Sequence, residues 1–343
     1  MAAEPANSKD PGGARSDTGR DSMSHAKEPE SPGMIDVSTV IVNWNSRQYL
    51  AKCLDTMLSH KRTIRVEVIV VDNASRDGTV GWLQEAYPEV TVIDSTENVG
   101  FARGNNIGIR KASGRYICLV NPDVEFRDEC LQALSGFMEG NQDVGICGPQ
   151  ILNGDGSIQY SCREYPTLWN NLCFALGFYR IFPRGAVFSN ELMSYFGHDR
   201  LREVEAISGC FMMSRREAME EVGLLDESFF MYSEDLDWCK RFHDKGWKIV
   251  FNPAVSAVHY GGGSSENEPA RFAVEKELAI IRYWNKHHGP IENTLIRIIL
   301  LTNHALRIAI FGVLSLLGSA GRSGHRGKLQ NHTACFRSLI HVK

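Results

Sequence analysis

The chain has 343 residues, 43% hydrophobic and 23% charged, a globular composition that excludes wholesale disorder and collagen-like or coiled-coil architectures and suffices for one large domain or two small ones. Its 37 Lys and Arg against 41 Asp and Glu leave a net charge of -4, so no basic excess drives nucleic-acid binding and no DNA or RNA partner is expected. The 9 cysteines are scattered without a CxxC pair, which speaks against a zinc or redox site and fits small buried thiols in a reducing cytosol.

Residues 1–36 are rich in Ala, Pro, Gly, Ser and mixed charge with few large apolar side chains, and are expected to form a disordered arm. No apolar stretch follows Met1, so a secretory signal is not expected. Order should begin with the β-branched run 37–42, which ends in Asn43-Trp44-Asn45. Further runs at 66–71, 90–93 and 116–120 alternate with helix-like stretches at 48–59, 79–86 and 104–111. Near-continuous apolar runs alternating with helices predict an α/β sheet of βαβ units whose strands are buried on both faces.

After Pro149 an irregular, aromatic-rich stretch follows to about residue 202, including Tyr160, Tyr165, Trp169, Phe174, Phe178, Tyr179, Phe182 and Phe188. These rings either complete the core or face an acceptor or a membrane. Order returns at 207–213, with helices near 215–222 and at 234–245, a strand at 248–251 and a helix at 268–287. The segment 295–317 is mostly apolar but interrupted by Arg297, Asn303, His304 and Arg307. Its longest charge-free stretch is shorter than the ~20 residues a spanning helix needs, so an amphipathic segment in a bilayer interface fits better than a spanning helix or a soluble one packed on the domain. From Asn293 to Lys343 there are seven Lys and Arg and no Asp or Glu, a basic tail suited to anionic lipid.

Glycine cradles for phosphate are missing. Gly327-Lys328 is followed by Leu329 with no glycine five residues before it, and no GxGxxG follows the first strand. Polar residues stand instead at the carboxyl ends of the strands, where ligands bind in such sheets: Asn43 and Asn45, Asp72 and Asn73, Asp94, then Asn121-Pro122-Asp123. Asp123 offers a hard oxygen for Mg²⁺ or Mn²⁺, or simply caps an Asn-Pro-Asp turn. Glu234, Asp235 and Asp237 open a helix, where the dipole favours one or two of them without function; crowding of the three would push a carboxyl toward general-base range. His259, before Gly261-Gly262-Gly263, is either structural or a ligand beside a loop that closes.

In order along the chain, Val40-Ile41-Val42-Asn43-Trp44-Asn45, Val70-Val71-Asp72-Asn73-Ala74-Ser75-Arg76-Asp77-Gly78-Thr79, Asn98-Val99-Gly100-Phe101-Ala102-Arg103-Gly104-Asn105-Asn106-Ile107-Gly108, Asn121-Pro122-Asp123 and Glu234-Asp235-Leu236-Asp237 resemble the motifs of family 2 glycosyltransferases, and within them the bacterial rhamnosyltransferase branch. The resemblance runs from about Val37 to His288. It implies a GT-A fold, a Rossmann-like and mostly parallel sheet flanked by helices, over residues 37–290. Residues 37–125 would form the nucleotide-sugar half and 126–290 the acceptor and catalytic half; beyond the resemblance, composition and charge give an amphipathic or membrane-associated helix at 291–320 and the basic tail at 321–343.

The same resemblance implies inverting transfer of a sugar, rhamnose by branch, from a dTDP- or UDP-linked donor to a glycan or polyprenyl-linked acceptor at the inner face of the cell membrane, with Mn²⁺ or Mg²⁺. Asn43, Asn45, Asp72, Asn98, Arg103, Asn105, Asn121 and Asp123 would bind the nucleotide sugar, with Asp72 on the nucleobase or ribose. Asp123 and His259 would hold the metal, and Asn121 replaces the first Asp of the family's DxD. Asp235 falls at the catalytic base with Glu234 supporting it, and Gly209 and Asp237 lie on the acceptor side. A nucleotidyltransferase would need a glycine-rich, basic signature near the first strand, which Asn43-Trp44-Asn45 is not. A non-catalytic glycan-binding relative is countered by the presence of Asp123, Asp235 and His259, although Asn121 leaves it room.

Overall fold

The computed structural model describes residues 34–60, 63–182, 184–185, 187–188, 191–262, 268–317 and 322–341. The expected arm therefore lies outside the described residues up to Gly33, as does Gly263 of the glycine run. The first half alternates as its apolar runs require: β1 Val37–Asn43, α1 Arg47–Ser59, β2 Val66–Asp72, α2 Thr79–Ala86, β3 Thr91–Asp94, α3 Phe101–Ile109 and β4 Tyr116–Val120. Then come β5 Val124–Phe126, α4 Cys130–Gly140, β6 Val144–Leu152, β7 Cys162–Arg163, α5 Leu168–Leu176 and α6 Phe178–Ile181. The remainder is β8 Arg202–Glu203, β9 Ala206–Ile207, β10 Phe211–Arg215, α7 Arg216–Val222, α8 Glu234–Asp244, β11 Lys248–His259, α9 Pro269–His287, α10 Pro290–Leu317 and α11 Arg322–His341.

A 9-stranded sheet runs in the order β3-β2-β1-β4-β10-β6-β11-β5, with β8 on β11. The strands β3, β2, β1 and β4 are parallel, in the register Ile69↔Thr91, Val37↔Val66 and Val37↔Tyr116. Beyond them the sheet is mixed: β10 runs antiparallel to both β4 and β6, β11 is parallel to β6, and β5 and β8 pair antiparallel with β11. Successive residues of a strand serve opposite faces. Val40, Leu119 and Met212 join the core under α8 and α9 with Trp238, Phe242 and Trp284, while Ile41, Cys118 and Met213 join the core under α1 and α4 with Leu50, Leu54 and Leu134. All nine cysteines are buried and free.

Helix α3 lies tight on β1. A Cβ at Gly104 would stand 2.9 Å from Val42 Cγ1, and one at Gly108 would collide with Val40 Cγ1. This close seat carries the preceding loop onto the strand ends, where Phe101 N–H donates to Phe230 O at 2.6 Å.

Helix α10 has 28 residues, roughly 42 Å at 1.5 Å per residue. By length and composition its stretch Pro290–Leu316 is long and apolar enough to cross a membrane, the most apolar 18 residues having a mean hydropathy of 1.7. Ile296, Leu300, Asn303 and His304 are buried along one stripe, while Ile298, Ile310 and Val313 are more than half exposed. The expected basic tail is itself helical, as α11, and packs against α9 and α10.

Candidate active site

The end of β4 and the end of β11 meet because β5 pairs antiparallel with β11 and sets His259 opposite Val124. Asn121 N–H donates to Cys210 O at 2.9 Å, tying the turn to β10, and Tyr260 N–H donates to Asp123 O at 3.1 Å. His259 Nε2 thereby lies 3.2 Å from Asp123 Oδ1. Gln159, in the irregular stretch after β6, decides the state of that ring. Its Nε2 donates to Asn153 Oδ1 at 2.9 Å and to His259 O at 3.0 Å, which leaves Oε1 facing His259 Nδ1 at 2.6 Å. Oε1 can only accept, so Nδ1 donates to it, and Nε2 is the ring nitrogen that faces Asp123.

Asn121 Nδ2 is 3.2 Å from the same Nε2, and Asn121 Oδ1 is buried with no hydrogen-bond partner among the described residues. Among those residues no three His, Cys, Asp or Glu side chains form a metal cluster. One carboxylate, one imidazole nitrogen poised as a ligand and one orphaned amide oxygen nonetheless fit a divalent ion that keeps several positions for phosphate oxygens.

Opposite, Tyr232 and Ser233 adopt positive φ of 71° and 61°, successive left-handed conformations that cost about 1–3 kcal/mol each for non-glycine residues. That strained turn starts α8 with Glu234 and Asp235 on the cavity wall. Asp235 Oδ2 accepts from Gly209 N–H at 3.0 Å and Oδ1 from its neighbour Leu236 N–H at 2.8 Å. Glu234 is buried, with Oε2 unpartnered among the described residues. Burial first, and the Asp235 charge next, hold its carboxyl well above the usual carboxylate range. The pair thus divides into a buried carboxyl whose pKa is raised and a neighbour anchored by two backbone N–H groups.

Asn121, Asp123, His259, Gly209, Glu234 and Asp235 share one cavity of about 630 Å³. A Cβ at Gly209 would meet Asp235 Cβ at 3.4 Å, ordinary contact, so its contribution is the N–H rather than a backbone approach that only glycine permits.

Asn43, Asn45, Asp72, Asn98, Arg103 and Asn105 do not line this cavity. Asn43 and Asp72 have no exposed surface: Asn43 Nδ2 donates to Asp72 Oδ2 at 3.0 Å, and Ser75 N–H donates to Asp72 Oδ1 at 2.8 Å. Asn45, at φ 50°, accepts from Arg76 N–H at 2.7 Å, and Asn98 Oδ1 accepts from Asn73 Nδ2 and Gly100 N–H, both at 3.0 Å. These residues hold the loops at the strand ends. Asn105 bonds Phe101 O within α3, and Arg103 is exposed beside Glu227.

Asp237 does not line the cavity. Fully buried, it pairs with Lys286 Nζ and His287 Nε2 at 2.8 Å and Arg241 Nε at 2.9 Å, and these partners outweigh burial and lower its pKa. The cavity also takes in residues that no motif announced, Gln159's neighbour Tyr160, Arg163 and Lys276 among them. Of the aromatic stretch, Tyr160, Phe174 and Phe188 line the cavity, Trp169 and Phe182 are nearly half exposed and do not line it, and Tyr165 packs on the core.

The family profile described as Glycosyl transferase family 2 matches residues 38–223. The chain is 28% identical over 296 residues to the N-acetylglucosaminyl-diphospho-decaprenol L-rhamnosyltransferase of Mycobacterium tuberculosis, covering 80% of this chain and 94% of that one. It is 25% identical over 236 residues to rhamnosyltransferase WbbL of Escherichia coli K12, covering 65% and 83%. Among solved structures it resembles the mannosyltransferase PcManGT of Pyrobaculum calidifontis, in complex with GDP-Man and Mn²⁺, with TM-score 0.52, 16% identity and 91% and 88% of the two chains covered. It also resembles GalNAc-T7 with UDP, GalNAc and Mn²⁺, with TM-score 0.50, 14% identity and 71% and 48% covered. The fold is GT-A-like, and the chain belongs to glycosyl transferase family 2, an enzyme with rhamnosyltransferases among its relatives.

Proposed function

We propose that this enzyme is an inverting transferase that moves a sugar, rhamnose by preference, from a dTDP- or UDP-linked donor to a hydroxyl of a lipid-linked or cell-surface polysaccharide acceptor. The observation that carries the reading is the sharing of one cavity by the ligand-type pair Asp123 and His259 and the carboxyl pair Glu234 and Asp235. The relatives' names support the sugar and the lipid-diphosphate acceptor, and the solved neighbours support a nucleotide-linked donor.

In this reading Asp235, steadied by Gly209 and Leu236 N–H, takes the acceptor hydroxyl proton as that oxygen bonds to the anomeric carbon. The bond from the anomeric carbon to the diphosphate oxygen breaks in the same step, the electron pair leaves with the nucleoside diphosphate, and configuration inverts. Burial, and next the Asp235 charge, raise the Glu234 pKa, which disfavours a second negative charge beside Asp235. Asp123 and His259 are the residues that would hold Mn²⁺ or Mg²⁺, whose charge would offset that of the diphosphate. Asn43, Asn45, Asp72 and Asn98 serve the nucleotide from behind, by fixing the loops it would rest on.

The exposed apolar stripe of α10 and the basic α11 would dock the enzyme peripherally on the inner face of the cell membrane. Co-sedimentation with anionic vesicles should fall on Ile298→Asp with Ile310→Asp, and unchanged binding would remove the membrane role. The activity itself is tested by incubating the full chain with a panel of nucleotide sugars and Mn²⁺ and measuring nucleoside diphosphate release. Release with one donor, raised by acceptor, is expected; binding without release across the panel would make the chain a sugar-nucleotide binder instead.

A further inference from the structure

Two cations on the cavity wall have no part in the chemistry above. Arg163, on β7, is half-buried, and Lys276, on α9, also lines the cavity; among the described residues neither forms an ion pair, although Glu191, whose backbone O accepts from Glu164 N–H at 3.1 Å, lines the same cavity. Other cations of α9 are paired: Arg271 with Glu268 at 2.7 Å, Lys286 with Asp226 at 2.6 Å, and Arg282 with Glu275. A half-buried guanidinium without a carboxylate has lost hydration that only an anion restores well, and its planar fork matches phosphate oxygens.

The chain path places Arg163 between two chemistries. On one side, Ser208 N–H donates to Ser161 O at 2.8 Å and Arg163 pairs with Ala206, so β7 is stitched to the strand that leads into Gly209 and its bond to Asp235. On the other, four residues on, the Thr167 side chain caps α5, whose Asn170, Asn171 and Phe174 line the same cavity with Phe188 and Leu192. Trp169, Phe174, Leu176 and Leu192 extend this wall as an exposed apolar rim, and α5 packs against α10, whose outer stripe is apolar as well. Carboxylates, two cations and an apolar rim on one cavity wall suit a sugar joined through an anionic group to a lipid chain, with Glu191 the one further carboxylate on the Phe188 and Leu192 side. The donor's diphosphate is accounted for at Asp123 and His259, which leaves this second anion position to the acceptor.

We propose that Arg163 and Lys276 hold the diphosphate of a lipid-diphosphate-linked sugar acceptor, with the sugar reaching Asp235 and the lipid chain leaving over Phe174, Phe188 and Leu192 toward α10. This rests on the transferase reading and narrows its acceptor. The test is calorimetry on the full chain saturated with dTDP or UDP and Mn²⁺, with farnesyl diphosphate as probe and farnesol as the uncharged control. Wild type should bind farnesyl diphosphate and prefer it to farnesol. Arg163→Gln should weaken it about 10- to 100-fold, the worth of charged hydrogen bonds, and Arg163→Lys should recover part. Lys276→Gln should weaken it too; at an exposed position it folds whatever becomes of Arg163→Gln, and it carries the test alone. Affinity for the nucleoside diphosphate with Mn²⁺ should stay within about twofold in these variants. Unchanged farnesyl diphosphate binding, or no binding by wild type, overturns the proposal. A fall in nucleoside diphosphate affinity instead assigns the cations to the donor and overturns it as well. In each of these cases donor-dependent release of nucleoside diphosphate by wild type persists, which separates this failure from failure of the transferase reading.

Discussion

Replacing Glu234 by Gln keeps the shape of the side chain and removes its titration. Glu234 is 5% exposed, its Oε2 has no partner among the described residues, and Asp235 lies beside it. Its folded-state pKa is therefore raised well above 4.5, by burial before charge, whereas the unfolded chain ionises it near that value. Between the two values the native protein holds a proton that the unfolded chain has lost. Stability then falls as pH rises through the window, by up to about 1.4 kcal/mol per pH unit. Below 4.5 both states hold the proton and the contribution is flat. Glu234→Gln should erase that slope and leave the variant more stable than wild type at neutral pH, by an amount that grows across the window. Urea unfolding of both proteins, without metal or ligand, from pH 4.5 to about 8 measures it; groups remote from Glu234 cancel in the difference, which reports Glu234 together with its coupling to Asp235. Parallel stability curves, or a variant less stable at pH 7, would refute the claim that the pKa of this carboxyl is raised.

Other variants separate structural from chemical roles. Asp237→Ala removes the buried carboxylate shared by Lys286, His287 and Arg241, of which Lys286 keeps Asp226 and Arg241 keeps the Val222 and Leu224 carbonyls, and should cost about 3 kcal/mol in denaturant unfolding, the low end for a broken buried pair; a loss below about 1 kcal/mol would return Asp237 to the surface-pair class. Gly108→Ala should destabilise by about 1–3 kcal/mol through its collision with Val40, while Gly209→Ala, which meets only ordinary contacts, should melt as wild type does; equal effects would contradict the packing described. Gln159→Leu frees the His259 ring to take the other tautomer and should weaken binding of Mn²⁺ with nucleoside diphosphate by about 10- to 100-fold, and ¹⁵N shifts of the imidazole should report the tautomer change. Unaltered affinity and shifts would show that Gln159 does not set the ring.

The β-branched runs that form β1, β2 and β4 are legible because burial on both faces leaves few polar positions to confuse the period. β6 is not, since Gly145, Gly148 and Pro149 interrupt it. The glycines are there because a Cβ would stand 2.8 Å from Phe242 Cδ1 at one and from Ile207 Cγ2 at the other, a tertiary demand invisible along the chain. β11 runs eight residues past its expected end through Asn252-Pro253, where the register to β6 shifts. Polar strand ends mark the crevice, yet whether such a residue points outward or braces a loop depends on its partners. Asp123 faces the cavity, whereas Asp72, at the equivalent end of β2, is consumed by Ser75 and Asn43. Gln159 and Arg163 lie in a segment with little regular structure, and only the fold brings them to His259 and the cavity wall.

The central claim is that Asp235 receives a proton from an acceptor bound in the same cavity in which Asp123 and His259 face the donor. Single-turnover transfer by Asp235→Asn, set beside its affinity for nucleoside diphosphate with Mn²⁺, tests it most directly. Turnover at least ~100-fold below wild type with affinity unchanged is predicted; transfer at the wild-type rate would contradict it.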